Sequence, residues 1–431
     1  MDAAFETPFD DREEKAQDQV DHSRYGKLAL RLDEDGWLPL VRAAYDDEKL
    51  TDNNFAKRCS LEDWISVSDD ALSTVEPAIL KAICSGDVNA TVKGDSDLGK
   101  IIQLYEDRAD SQATIYLRQM TVGIGQEALS VTHARDLALV AMQYANQDTS
   151  DSAADMAYAI DKKALDDDWH IRYTISGRRH FIEGSKGDVD VGKTRVLQGF
   201  SRALTRFADQ ADKNNKAYIP FLQFVGYASR GHQDRSQHGE TFTGTSSLFA
   251  FTKCCLESWK NFNPVEMHHF TICLIPDDTG GPVAYMLLAR LARAYYFAGG
   301  LSIGQAAGSM LSLSLSKFNP QERGNGWMAN TQWAKDYANY DKTLEKEVAS
   351  RTKLQKAEHK AGMSAEIEEI TDFKTRLQSM REAVEEIREE HRLLDDWQEF
   401  EDHFPDEYQE FKELEKFAME MTKALAEAAT S

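Results

Sequence analysis

Apolar residues along most of this 431-residue chain recur at i, i+3, i+4 and i+7. That spacing puts them on one face of an α-helix. Alternating runs are few and Pro is scarce, with 9 in the chain, so the pattern predicts an all-α fold. The most regular stretch lies near the C-terminus, where Ile370, Phe373, Leu377, Met380, Val384, Ile387, His391 and Leu394 step alternately by three and four. This is a heptad seam broken only by His391, and it suits a coiled coil or one amphipathic helix packed on the body. After Pro405, Tyr408, Phe411, Leu414, Phe417 and Met421 form a second apolar stripe in an acidic background. A helix of that kind docks in a partner's groove or on its own chain.

Punctuation divides the rest. Residues 1–24 are polar and acidic, with Phe5 and Phe9 as their only aromatics and Pro8 opposing a helix. Such a segment cannot bury enough surface to fold alone, and reads as a frayed end or as an arm that docks on another copy. The cluster Pro276-Asp277-Asp278-Thr279-Gly280-Gly281-Pro282 reads as a hinge between two helical lobes, 25–275 and 276–340. Residues 341–431 form an acidic helical tail. No apolar run reaches the ~18 residues that span a bilayer, and Val283–Ile303 is interrupted by Arg290 and Arg293, so no membrane partner is expected. The five cysteines form no CxxC pair and fit buried thiols in a reducing compartment.

Charge is partitioned unevenly. The chain carries a net −23, yet residues 171–260 hold 14 Lys/Arg against 8 Asp/Glu, whereas residues 1–170 hold 17 against 35 and residues 341–431 hold 14 against 25. A basic middle in an acidic protein supplies the local potential that phosphate binding needs.

One catalytic motif is present by its letters. Gly187-Asp188-Val189-Asp190-Val191-Gly192-Lys193-Thr194 matches G-x-x-x-x-G-K-[ST]. A phosphate-cradling loop is fed by a strand, but residues 177–186 contain only two apolar residues, and Asp188 and Asp190 would put carboxylates into an anion cradle. A Gly/Asp-rich loop capping a basic helix reads better; a nucleotide-hydrolysing enzyme stays open as an alternative, as does a coiled-coil scaffold without nucleic acid. Adjacent His268-His269 and Cys254-Cys255 point to opposite faces of a regular element and make poor ligand pairs. No metal, cofactor or catalytic residue is expected.

The basic residues form stripes. Arg195, Arg202 and Arg206 sit at i, i+7 and i+11, within about 40° of one another around a helix. Lys193 lies at the helix start and Arg178-Arg179 precede the loop. Arg290, Arg293 and Phe297 sit at i, i+3 and i+7, so two guanidiniums and a ring that could stack a base share a stripe. Lys317 and Arg323 flank Asn319-Pro320. Spaced cations suit a groove that tracks a nucleic-acid backbone without reading sequence; singly, each is also an ordinary solvated face.

Three segments resemble the nucleoproteins of non-segmented negative-strand RNA viruses, particularly the paramyxovirus type. Gly244-Thr-Ser-Ser247-Leu-Phe-Ala-Phe-Thr-Lys253-Cys-Cys-Leu-Glu257-Ser258 resembles the family's G-x-x-S-(x)5-K-(x)3-E-[ST] helix. Ala284-Tyr285-Met286-Leu287-Leu288, followed by Phe297-Ala298-Gly299, is similar to its PYM…FSAG stretch. Ser316-Lys317-Phe318-Asn319-Pro320 with Arg323 is similar to S-Y-F-D-P and the basic residue after it. Leu204-Thr205-Arg206-Phe207 resembles the family's L-R-R-F, with Thr205 departing from the basic pair. Order and spacing agree over roughly 190–330, and the first 170 residues give no match; such departures fit a divergent lineage such as the fungal mymonaviruses. The resemblance implies a two-lobed, all-helical protein, not an enzyme, that clamps single-stranded RNA and polymerises along it through exchanged arms. It also implies a tail that meets a polymerase or phosphoprotein-like cofactor, and a place in the virion nucleocapsid and host cytoplasm.

Overall fold

Helices form where the 3.6-residue pattern meets a capping residue. Ser60 accepts from the backbone N–H of Asp63 at the start of α3 (Leu61–Leu72), and Asp95 and Ser130 do the same for α6 (Ser96–Arg108) and α7 (Val131–Ala145). Pro77 opens α4 (Pro77–Ser85), which ends on Gly86 at φ +82°, a left-handed cap that glycine takes without strain. Around these stand α1 (Ser23–Leu30), α2 (Leu38–Leu50), α5 (Val88–Gly94), α8 (Asp151–Ala164), α9 (Val191–Lys213), α10 (Ser247–Ser258) and α11 (Gly281–Leu291). This computed structural model describes residues 23–50, 59–164, 179–184, 187–228, 247–259, 264–276, 280–303, 328–335, 342–356 and scattered positions from 375 to 420.

The chain is mostly helical, but it is not all-α. A three-stranded antiparallel sheet of order β2-β1-β3 runs through the body, made of β1 (Thr114–Val122), β2 (Leu222–Ala228) and β3 (Val265–Leu274). Residues on both faces of central β1 are largely buried, so its sequence does not alternate cleanly between apolar and polar. Two of its polar residues are held by partners. Gln119 accepts from the Asn89 N–H at 2.9 Å and donates to the Gly86 carbonyl at 3.2 Å, while Thr121 meets His268 across the sheet at 3.0 Å. The sheet was unforeseen because each strand's partners lie about 100 or more residues away or across another strand.

The hinge expected at 276–282 does not divide the described residues. Helix α11 packs on α2, α3, α4 and two strands, and its apolar side chains belong to the same core cluster as those of α1–α10. Ile275 donates to the Ala113 carbonyl at 2.8 Å and Asn330 to the Pro276 carbonyl at 2.9 Å. The chain instead separates into two compact units, residues 1–351 and 352–431. No helix among the described residues is long and apolar enough to cross a membrane.

The expected start of the tail at 341 therefore moves. In the helical residues 342–356, the Glu347 carboxylate accepts from the backbone N–H groups of Trp37 (2.7 Å) and Leu38 (3.1 Å), capping α2 from 310 residues away. Gly36, at φ +70°, makes room: a Cβ there would lie 2.1 Å from the Glu347 Oε2. Arg351 joins Glu347 at 2.9 Å and chelates Asp69, which also accepts from the Trp37 indole. In the second unit the described positions are helical, and Phe417 is half exposed. The heptad seam and the rest of the aromatic stripe lie outside the described residues, as do Phe5 and Phe9.

Replacing Glu347 by Ala leaves two buried N–H groups without their acceptor, a cost of about 1–3 kcal/mol; urea unfolding measures it. A chain cut after Tyr340 should be destabilised relative to one cut after Lys356.

Candidate nucleic-acid interface

Helix α9 is the centre of the site. Val196, Leu197, Phe200, Ala203, Leu204, Ala208 and Ala211 are buried, and Ser201 donates to the Ala138 carbonyl of α7 at 2.6 Å. Beside this face, Arg202 is exposed and Arg195 and Arg206 are half-buried. The expected stripe thus exists on a continuous helix. Its members differ in availability. Arg206 donates to the Phe297 carbonyl at 2.7 Å, which ties α9 to the turn at 296–298. Phe207 lies against Gly299, where a Cβ would come within 2.2 Å of the ring. Leu204–Phe207 and Phe297–Gly299 therefore meet in space. On α10, Lys253 and Glu257 face each other one turn apart at 3.8 Å.

The G-x-x-x-x-G-K-T loop is wound on itself. A 3-10 turn, His180–Ile182, precedes it instead of a strand. The Gly184 N–H donates to the Asp188 carbonyl at 2.7 Å and the Gly187 N–H to the Gly184 carbonyl at 3.0 Å. Asp190 caps α9 by accepting from the Lys193 N–H at 3.1 Å, and the Lys193 ammonium donates to the Glu183 carbonyl at 2.8 Å. These N–H groups already have acceptors within the loop, so it presents no phosphate cradle of the P-loop kind. Lys193 instead edges a cavity of about 370 Å³ with His180, Glu183 and Ser247.

Several expected RNA contacts face inward. Arg290 is 0% exposed and pairs with Glu48 at 2.7 Å, its guanidinium 4.9 Å from the Tyr295 ring and 5.3 Å from the Phe297 ring. Phe297 is 1% exposed and stacks on Tyr295 at 5.3 Å, so it offers no face to a base. The projected Arg290/Arg293/Phe297 stripe fails because α11 ends at Leu291. Arg293 takes φ +52° and donates to the Cys84 carbonyl at 3.0 Å. Arg179 is 2% exposed and donates to the Asp148 carbonyl at 2.7 Å. Arg178, Lys317 and Arg323 lie outside the described residues.

A buried acid stands behind this region. Asp161 of α8 accepts from the Tyr144 hydroxyl and from the His180 N–H, and Phe181 donates to the same hydroxyl at 3.0 Å. Burial pushes the Asp161 carboxyl up from 3.8 to about 6, against the two hydrogen bonds that favour its charged form. Cys84, Cys254, Cys255 and Cys273 are buried and free, and burial raises each thiol far enough to keep it protonated at neutral pH.

No family model matches the sequence, and neither a curated protein nor a solved structure is similar enough to count as a match.

Glu48→Gln should cost about 3–5 kcal/mol, because it leaves the Arg290 charge buried without its partner; chemical denaturation measures it. Asp161 gives a pH signature. Its folded-state carboxyl binds protons more tightly than the unfolded one, so its contribution to stability is complete below pH 3.8 and is lost as pH rises through about 6. Asp161→Asn should remove that decline from the stability–pH profile.

Proposed function

We propose that this protein is a nucleoprotein that covers single-stranded RNA without reading its sequence and polymerises along it as the template of a viral polymerase. The observation that carries the reading is the meeting of α9, with Arg195, Arg202 and Arg206 on one side, and the turn at 296–299 through Arg206 and Phe207. Resemblance-bearing segments about 90 residues apart pack on each other inside the fold, and the cationic stripe of α9 runs beside their junction. Spaced guanidiniums on a rigid helix neutralise successive phosphates, which gives affinity without base preference. An RNA strand lying along the exposed side of α9 belongs to the same reading. So do assembly through the arm at 1–24, docking of a phosphoprotein-like cofactor on the acidic tail, and residence in the nucleocapsid and host cytoplasm. The tail's negative charge repels phosphate, so the tail adds nothing to RNA binding. The site binds and makes or breaks no bonds.

Electron microscopy of the purified protein before and after nuclease treatment tests the assembly; particles that never contain RNA and never polymerise would overturn it. Replacing Arg195 and Arg202 by Ala should weaken binding to all RNA sequences alike and reduce the slope of log K against log salt by about 1.4 for two single-strand phosphate contacts. An unchanged slope removes α9 from the interface.

A further inference from the structure

Arg118, in the middle of central strand β1, is a cation to which the described residues supply no acceptor. It is 3% exposed, and among the described residues it makes no hydrogen bond and no ion pair; its one contact of polar character is the Tyr116 ring, 5.3 Å from the guanidinium. The other deeply buried guanidiniums are served differently, Arg290 by Glu48 and Arg179 by the Asp148 carbonyl. None of its nitrogens is among the sealed, unpartnered atoms of the fold, so the tip of the guanidinium keeps contact with solvent and is open to an arriving acceptor.

The surroundings indicate the partner's chemistry. The strand register sets Arg118 between Phe224 of β2 and His269 of β3, with Tyr116 two residues away on the same face. Tyr116 lies across Gly226, whose missing side chain leaves room for the ring: a Cβ there would be 2.2 Å from it. Tyr116 and His269 stack at 4.9 Å and 26°, and Phe224 stands 6.2 Å from Tyr116. Tyr116, Phe224, Met267 and His269 are each half-buried, so solvent reaches the rim around the guanidinium. No carboxylate from the strands shares this face, because Glu266 belongs to the opposite side of β3 with His268. A guanidinium fork matches a phosphate, and planar rings beside it match a base.

We propose that this face of the sheet is a nucleotide-binding site, separate from α9, in which Arg118 donates to the phosphate oxygens and the base packs on the ring cluster of Tyr116, His269 and Phe224. The ligand is a phosphate ester next to a planar base, either free or as one link of a single strand. The site does not depend on whether α9 holds RNA.

Calorimetric titration of the full, nuclease-treated chain in phosphate-free buffer tests it, with uridine monophosphate, adenosine monophosphate, uridine, inorganic phosphate and an oligouridylate hexamer as probes. Either monophosphate should bind at least tenfold more tightly than uridine or inorganic phosphate. A hexamer that binds more tightly than a monophosphate identifies a strand as the source; equal affinities identify a free nucleotide. R118M should lose at least tenfold in monophosphate affinity. Where R118M does not fold, R118K keeps the charge without the fork and should bind several-fold more weakly. The R195A/R202A variant should bind the monophosphate unchanged, which separates failure of this site from failure of the α9 interface. No monophosphate binding at millimolar concentration, or equal affinity in R118M, overturns the proposal. So does binding of an acidic peptide of residues 1–22 in place of every nucleotide.

Discussion

One buried ion pair joins the early helices to the late ones. Glu48 near the end of α2 and Arg290 near the end of α11 meet at 2.7 Å with both side chains closed to solvent. Removing two charges from water is expensive, and a pair of this kind is tolerable only where geometry and further contacts are good. Here the guanidinium also lies near the Tyr295 and Phe297 rings. The consequence is architectural: the segment after Pro276 cannot swing away as an independent lobe without exposing an unpaired charge. Arg24 and Tyr25 of α1 extend the cluster by bonding to Asp47, the neighbour of Glu48.

Two other long-range ties follow the same logic of satisfying polar groups out of water. Gln119 in β1 serves the ends of α4 and α5, so the sheet fixes where those helices begin and stop. Glu347 supplies α2 with an N-terminal acceptor that its own sequence lacks. A carboxylate at a helix N-terminus meets both unpaired N–H donors and the positive end of the helix dipole. For this reason the body extends past the point at which composition turns acidic.

The arginines show how a count of basic residues differs from an electrostatic surface. Arg202 is exposed on α9, while Arg206, Arg179 and Arg293 donate to backbone carbonyls and Arg290 is enclosed with Glu48. Arg118 is enclosed without such an acceptor. Similar residues in similar local sequence thus serve as surface cation, tether, core ion pair and waiting ligand-binding group.

Periodicity alone was enough to read α9, its buried face and the side on which Arg195, Arg202 and Arg206 lie, because a helix is a local structure whose face is set by spacing within a few turns. The Gly/Asp character of the loop before it likewise argued against a phosphate cradle. The sheet was not legible, since pairing Arg118 with Phe224 and His269 depends on residues more than a hundred positions away. The inward turn of Arg290 and Phe297 was not legible either: helical projection carries no information on where a helix stops, and α11 stops at Leu291. Local spacing determined which residues share a face. Tertiary packing alone decided which of those faces meet solvent, because burial is settled by whichever distant segment covers them.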